Sequence, residues 1–339
     1  MPDKVVTMAH GGGGSRMLDL LEKVVLPALG EASLFDAEDA AALSLPDFAP
    51  GSRLAFTTDC FVVKPLFFPG GDIGKLAVCG TVNDLAMRGA RPLFITLGLI
   101  LEEGLSFKVL ERALESAGQW AARAGVRVVA GDTKVVEKGA ADGIYINTSG
   151  VGVIPAGREM SIRGARPGDL LLVSGCVGDH ETSVLSRREG FDFRVEVESD
   201  CAPLNDLVET MLGAGEVHAM RDPTRGGLAA SLKEMASASG VALEVREEDI
   251  PVREGVRAFC EMLGLDPLLL ANEGKLLAAV PEDSAGAVLE AMRGHPLGRE
   301  AEAVGRVLEG PPGEVSLMTP VGSRRLLRMP SGEHFPRIC

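Results

Sequence analysis

Short apolar runs of strand length alternate with stretches of helical period along the whole chain, which restricts it to an α/β or α+β architecture. In the first half, Met17–Leu29 places Leu18, Leu21, Val25 and Leu29 at helical spacing after a glycine run. Arg53–Thr58 reads as a strand ending at Asp59, and Asp72–Arg88 as a helix stopped by Gly89, with Pro92 shortly after. The apolar run Leu93–Leu101 predicts a strand and Ser106–Ala124 a helix. A strand over Val126–Ala130 runs into Gly131-Asp132-Thr133-Lys134, and a strand over Gly143–Ile154 closes this half.

The turn signal Ala165-Arg166-Pro167-Gly168-Asp169 precedes a second unit that opens with the strand Leu170–Ser174. Helices are predicted near His180–Arg188, Asn205–Leu212, Gly226–Ser237, Arg253–Leu263 and Ser284–Met292. Strands are predicted near Val241–Val245, Lys275–Val280 and Ala301–Leu308. A chain of 339 residues exceeds one ordinary core. We therefore expect two domains, residues 1–155 and 156–330, and a tail over 331–339 that lacks any helical or strand period.

The formal charge is −14 and the acidic residues are spread along the chain. Nucleic acid and anionic membranes reward clustered Lys and Arg, so neither is expected as the main partner. The longest near-unbroken apolar run, Leu93–Leu101, is far short of a membrane span. Met1–Gly14 has no apolar signal core, and the expected location is the cytoplasm. The cysteines at 60, 79, 176, 201, 260 and 339 form no C-x-x-C pair, which suggests buried thiols in the body of the chain. Cys339 is the one expected to be exposed. Fully extended, a tail of that length reaches roughly 30 Å, and Arg337 can favour the nucleophilic thiolate.

Several polar strings suit a nucleotide and its metal. The run His10-Gly11-Gly12-Gly13-Gly14-Ser15 lets backbone N–H groups approach a phosphate before a helix, or it is a linker. Asp59, Asp84 and Asp132 each end or interrupt an apolar element. Singly each fits a helix cap or turn; together they can converge on magnesium. Lys134 follows Asp132 by two, so extended backbone points both to one face. It could hold a phosphate, act as a base or be a surface lysine. Arg221-Asp222-Pro223-Thr224-Arg225-Gly226-Gly227 enters a helix with groups that suit a phosphate, and Ala271-Asn272-Glu273-Gly274-Lys275 presents a carboxylate before a strand. Either string is equally well a plain loop.

With Thr7-Met8-Ala9-His10-Gly11, Phe67-Phe68-Pro69-Gly70-Gly71-Asp72-Ile73-Gly74-Lys75, Gly131-Asp132-Thr133-Lys134, Gly178-Asp179-His180 and Pro336-Arg337-Ile338-Cys339, these strings resemble the HypE hydrogenase-maturation family in order and over almost the whole chain. One departure is Glu181-Thr182, where that family commonly has a small residue after the histidine. The resemblance implies the two-domain fold of the aminoimidazole ribonucleotide synthetase-like ATP-binding enzymes. Their N-terminal domain forms a dimeric barrel with a second copy, their C-terminal domain is α+β, and the tail moves.

It further implies that HypF places a carbamoyl group on Cys339. ATP-driven dehydration then gives a thiocyanate for a HypC–HypD scaffold and the iron of [NiFe] hydrogenase. By motif match, Asp59, Asp84 and Asp132 hold Mg2+, while Lys134 and Glu273 orient the amide and take its protons. Gly11, Gly12, Gly13, Lys75, Asn83, Gly131, Asp222, Thr224, Arg225, Gly226, Gly227 and Asn272 are the implied ATP-binding set. A related ATP-dependent enzyme acting on another substrate, or a non-catalytic thiol carrier, are the competing expectations.

Overall fold

The structure, a computed structural model, describes residues 4–12, 14–33, 40–43, 48–188 and 196–328. Its first half contains β1 (Arg53–Phe61), the two-residue β2 (Phe67–Phe68) and β3 (Gly71–Asp72), β4 (Arg91–Glu102), β5 (Arg127–Val136) and β6 (Ile144–Ile154). Four of these strands form one sheet in the order β1-β6-β4-β5; β4 and β5 run parallel and the other neighbours antiparallel. Helices α1 (Ser15–Leu20) and α2 (Leu26–Leu29) flank a π-helical turn, Leu21–Val25, and α3 (Ile73–Met87) and α4 (Phe107–Ala124) follow.

Helix α3 is the centre of this half. Asp72 starts it, its carboxylate accepting the Gly74 and Lys75 N–H groups at 2.8 and 3.0 Å. Apolar residues surround it on every side, as suits a helix enclosed between a sheet and a second helix. A Cβ on Gly74 would lie 1.9 Å from the Ala113 carbonyl oxygen, so glycine sets how closely α3 and α4 approach. Helix α4 has one apolar stripe, with Phe107, Leu110, Leu114, Ala117 and Ala121 buried, and ends at Gly125 in the left-handed region at φ 72°.

The second half builds a seven-stranded sheet from β7 (Leu170–Val173), β8 (Ala219–Arg221), β9 (Ala242–Arg246), β10 (Leu277–Val280), β11 (Glu302–Leu308), β12 (Val315–Met318) and β13 (Arg324–Leu326). Its order is β13-β12-β9-β11-β7-β10-β8. Helices α5 (Asp179–Leu185), α6 (Asn205–Ala214), α7 (Gly227–Ser239), α8 (Glu254–Leu263) and α9 (Glu282–Gly294) complete it. Leu171, Val173, Leu277 and Ala279 face Leu228, Leu232 and Met235 of α7. The alternate residues Leu172, Ala278 and Val280 face Met211 of α6 and Val288 and Met292 of α9. Covering both faces explains why β7 and β10 are unbroken apolar runs. Each large apolar side chain so enclosed contributes roughly 1.5–3 kcal/mol.

Three features differ from the sequence expectation. Strand β5 does not stop at Ala130 but continues to Val136, because Gly131 to Lys134 pair with Leu97 to Ile100 of β4. Strands β8, β12 and β13, of three or four residues, were too short to register as a pattern. Cys60 is exposed, unlike Cys79, Cys176, Cys201 and Cys260, because the alternation of β1 turns it away from α3. Among the described residues no helix is long and apolar enough to cross a membrane.

Candidate active site

The end of β1, the middle of α3, the loop after β8 and the loop before β10 converge on a cavity of about 290 Å³. Asp59, Asp84, Arg221, Asp222, Thr224, Arg225 and Glu273 line it. Alternation along β1 sends Thr57 and Asp59 towards α3, where the Thr57 hydroxyl donates to Asp84 Oδ2 at 2.8 Å. Burial raises the Asp84 carboxyl against that hydrogen bond, and neighbouring Asp59 adds to the rise. Asp222 is buried, and burial together with Asp84 pushes it up to about 6. These carboxylates repel one another across a small space, a condition that a cation would relieve.

Glu273 is 4% exposed. Burial holds its carboxyl well above the usual carboxylate range, and Cys201, Asp222, Asp200 and Asp59 add to the shift. Gly80 of α3 lies beside it: a Cβ there would clash with the Phe61 ring at 2.8 Å but would sit at ordinary contact distance, 3.9 Å, from Glu273 Oε2. The Glu273 and Gly274 N–H groups donate to the two oxygens of Asp200, each at 3.2 Å. Asp200 has no sequence signal of its own, since its partners, the Glu273 and Gly274 N–H groups and the Lys275 ammonium 4.0 Å away, lie more than seventy positions along the chain.

Asn83 and Asn272, expected to touch ATP, have their polar atoms committed to backbone. Asn83 Nδ2 donates to the carbonyls of Ala202 and Glu273, both at 3.1 Å, while its Oδ1 accepts the Leu204 N–H at 2.8 Å. Asn272 Oδ1 accepts the Gly178 N–H at 2.8 Å, and its Nδ2 donates to Pro223 at 3.0 Å and Leu270 at 3.1 Å. The first asparagine ties α3 to the Glu273 loop. The second ties that loop to Asp222–Gly227. Gly226, at φ 78°, starts α7, and a Cβ on Gly227 would lie 2.5 Å from the Leu268 and Leu270 carbonyl oxygens.

Other expected residues stand apart from the cavity. Lys75 Nζ donates to the Gly70 carbonyl at 2.7 Å and sits 4.1 Å from the Trp120 ring centre. Asp132 and Lys134 project from the sheet face opposite Asp59. Register places Asp132 beside Gly98, Gly98 beside Asn147 and Asn147 beside Cys60, so Asp132 shares a face with Cys60. Asp132 and Gly131 line a separate apolar hollow beneath α1 and α2. Accordingly, Asp59, Asp84 and Asp132 do not form one carboxylate cluster among the described residues. Gly11 lies against β5, where a Cβ would meet Val135 N at 2.7 Å, whereas a Cβ on Gly12 would meet only the Met8 carbonyl oxygen, at 3.9 Å. Gly13, Arg337 and Cys339 lie outside the described residues.

Comparison with known proteins places this arrangement. The AIR synthase related protein N-terminal domain family matches residues 37–154, and its C-terminal counterpart matches residues 166–317. The carbamoyl dehydratase HypE of Azotobacter vinelandii is 51% identical over 335 residues, covering 98% of this chain and 97% of that protein. A crystal structure of hydrogenase maturation protein HypE in complex with ATP superposes with TM-score 0.92 at 46% identity, covering 98% of this chain and 99% of that one. HypE from a HypE–HypF complex gives TM-score 0.79 at 50% identity, covering 82% and 90% of the two chains. The two-domain α/β fold expected from the sequence is thus the observed one, and the chain belongs to the carbamoyl dehydratase HypE family.

Proposed function

We propose that this chain dehydrates a carbamoyl group carried on the Cys339 thiol, using ATP, to give a thiocyanate that supplies cyanide to the iron of [NiFe] hydrogenase. The observation that carries this reading is a buried Glu273, its carboxyl raised by burial, facing three carboxylates and Arg225 in one small cavity. Such a site can manage phosphate charge and move a proton in the same place.

An amide oxygen leaves poorly as hydroxide and well as phosphate. The thiocarboxamide oxygen attacks the γ-phosphorus as one N–H proton passes to a base, and the γ-phosphoryl bond to ADP breaks. The resulting iminophosphate loses its remaining N–H proton as the C–O bond breaks, leaving S–C≡N, ADP and phosphate. Arg225 and the Thr224 hydroxyl suit the transferred phosphoryl group, and Glu273 suits the protons. Asp59, Asp84 and Asp222 line one cavity without forming a preassembled three-carboxylate metal cluster among the described residues; together with phosphate oxygens they would hold Mg2+, a hard cation that would neutralise phosphate charge. The ATP-bound HypE and the HypE–HypF complex support ATP as the co-substrate and HypF as the carbamoyl donor. A HypC–HypD scaffold is the proposed acceptor.

Asp132 and Lys134 join this chemistry through a second copy. Their sheet face exposes Leu54 at 61%, Phe56 at 72% and Ile100 at 42%, an apolar strip that a second sheet would cover. Unpaired thiols at Cys60, Cys79, Cys176, Cys201 and Cys260 suit a reducing compartment, and the cytoplasm is the proposed location. Release of ADP by the carbamoylated chain tests the reading. Turnover should appear only when Cys339 is loaded and should vanish in Cys339→Ala; equal turnover in both would refute it.

A further inference from the structure

Resting on that reading, we propose that Glu181 is a positioning residue for Glu273, acting through the main chain of Ala271. Glu181 is the third residue of α5 and is 4% exposed. Its Oε2 accepts the Ala271 N–H at 2.7 Å, and its own N–H donates to the Ala271 carbonyl at 3.3 Å. One residue further on, the Gly178 N–H donates to Asn272 Oδ1 at 2.8 Å. The first turn of α5 therefore holds two consecutive residues of the segment that delivers Glu273.

Beyond that point Asp200 and Asn83 hold the Glu273 main chain itself. Glu273 is thus fixed from both sides, by the Asp200 carboxylate on one and, through Ala271, by the Glu181 carboxylate on the other. Ala271 is 1% exposed, so without an acceptor its N–H has no water to turn to. An orphaned donor there would displace the segment, and displacement near 1 Å is enough to slow chemistry strongly. Glu181 does not line the cavity and has no part in binding phosphate.

The test compares Glu181→Gln, which keeps an acceptor, with Glu181→Met, which keeps length and removes it, both in the full chain. Hydrogen exchange at the Ala271 amide reads the tether directly. Single-turnover dehydration of the carbamoylated chain reads its consequence, and calorimetry with ATP reads the nucleotide site. In Glu181→Met, Ala271 protection and the dehydration rate should each fall by about tenfold while ATP affinity stays unchanged. Glu181→Gln should restore both. Unchanged Ala271 protection in Glu181→Met, or lost protection with an unchanged rate, would overturn the proposal. Should Glu181→Met fail to fold, a rate in Glu181→Gln as low as that of an inactive control would overturn it equally. Should the unsubstituted chain itself not dehydrate, the functional reading fails, while exchange still decides the tether.

Discussion

At the scale of single residues, burial sets the protonation states that matter. The Glu273 carboxyl is held well above its ordinary range because its charged form would sit unsolvated beside Cys201, Asp222, Asp200 and Asp59. Replacing it with Gln keeps shape and hydrogen bonds but ends proton transfer. Glu273→Gln should therefore lower dehydration by about a hundredfold or more and leave ATP binding intact, measured by single turnover and by calorimetry. Burial pushes Asp179 up to about 6 and Glu181 up to about 7, each above its ordinary value. The folded form thus keeps protons that the unfolded chain has released, and the stability these groups add is lost as pH rises to about 7. His180, which burial lowers to about 4, acts the other way below its ordinary value. Between pH 6 and pH 7 Glu181 and the remaining protonated fraction of Asp179 and Asp222 lose their protons in the folded form, while the His180 of the unfolded chain loses its own and opposes part of the fall. Chemical denaturation across that interval should show falling stability, and Glu181→Gln should make the fall shallower.

At the scale of elements, close approach decides more than apolar area does. Gly74→Ala drives a methyl into the Ala113 carbonyl, so it should destabilise the protein by about 2 kcal/mol or more in urea titration. A change within half a kcal/mol would mean that α4 shifts freely. Much of this level was legible beforehand. The apolar stripe of α4, the Asp72 cap and the run that became β4 each announce themselves by local spacing. The site was legible in its parts but not in its assembly. Asp59, Asp222 and Glu273 were picked out singly; their convergence depends on packing between segments far apart in the chain. Asn83 and Asn272 look like ligands in sequence because their backbone partners are remote. Asp132 is the instructive case: its separation from Asp59 follows from the continuation of β5 and from register, which only the pairing partners define.

At the scale of the whole molecule, Asn83 of the first half holds Ala202, Glu273 and Leu204 of the second, so that Asp59 and Asp84 of the one face the Glu273 loop of the other. Lys134 points away from that cavity, across the exposed sheet face. If a second copy brings it in, mixing Lys134→Ala with Glu273→Gln should restore about a quarter of normal activity, since half the dimers are mixed and hold one complete site each. No recovery would assign Lys134 to its own chain or to no catalytic role. The central claim is that Cys339 carries the substrate through dehydration. Intact-protein mass spectrometry after incubation with HypF, carbamoyl phosphate and ATP with Mg2+ tests it most directly, with Cys339→Ala as the control. The account predicts a carbamoyl adduct on Cys339 that loses the mass of one water only when ATP is supplied. A Cys339 that is never modified, or an adduct that persists unchanged with ATP, would contradict it.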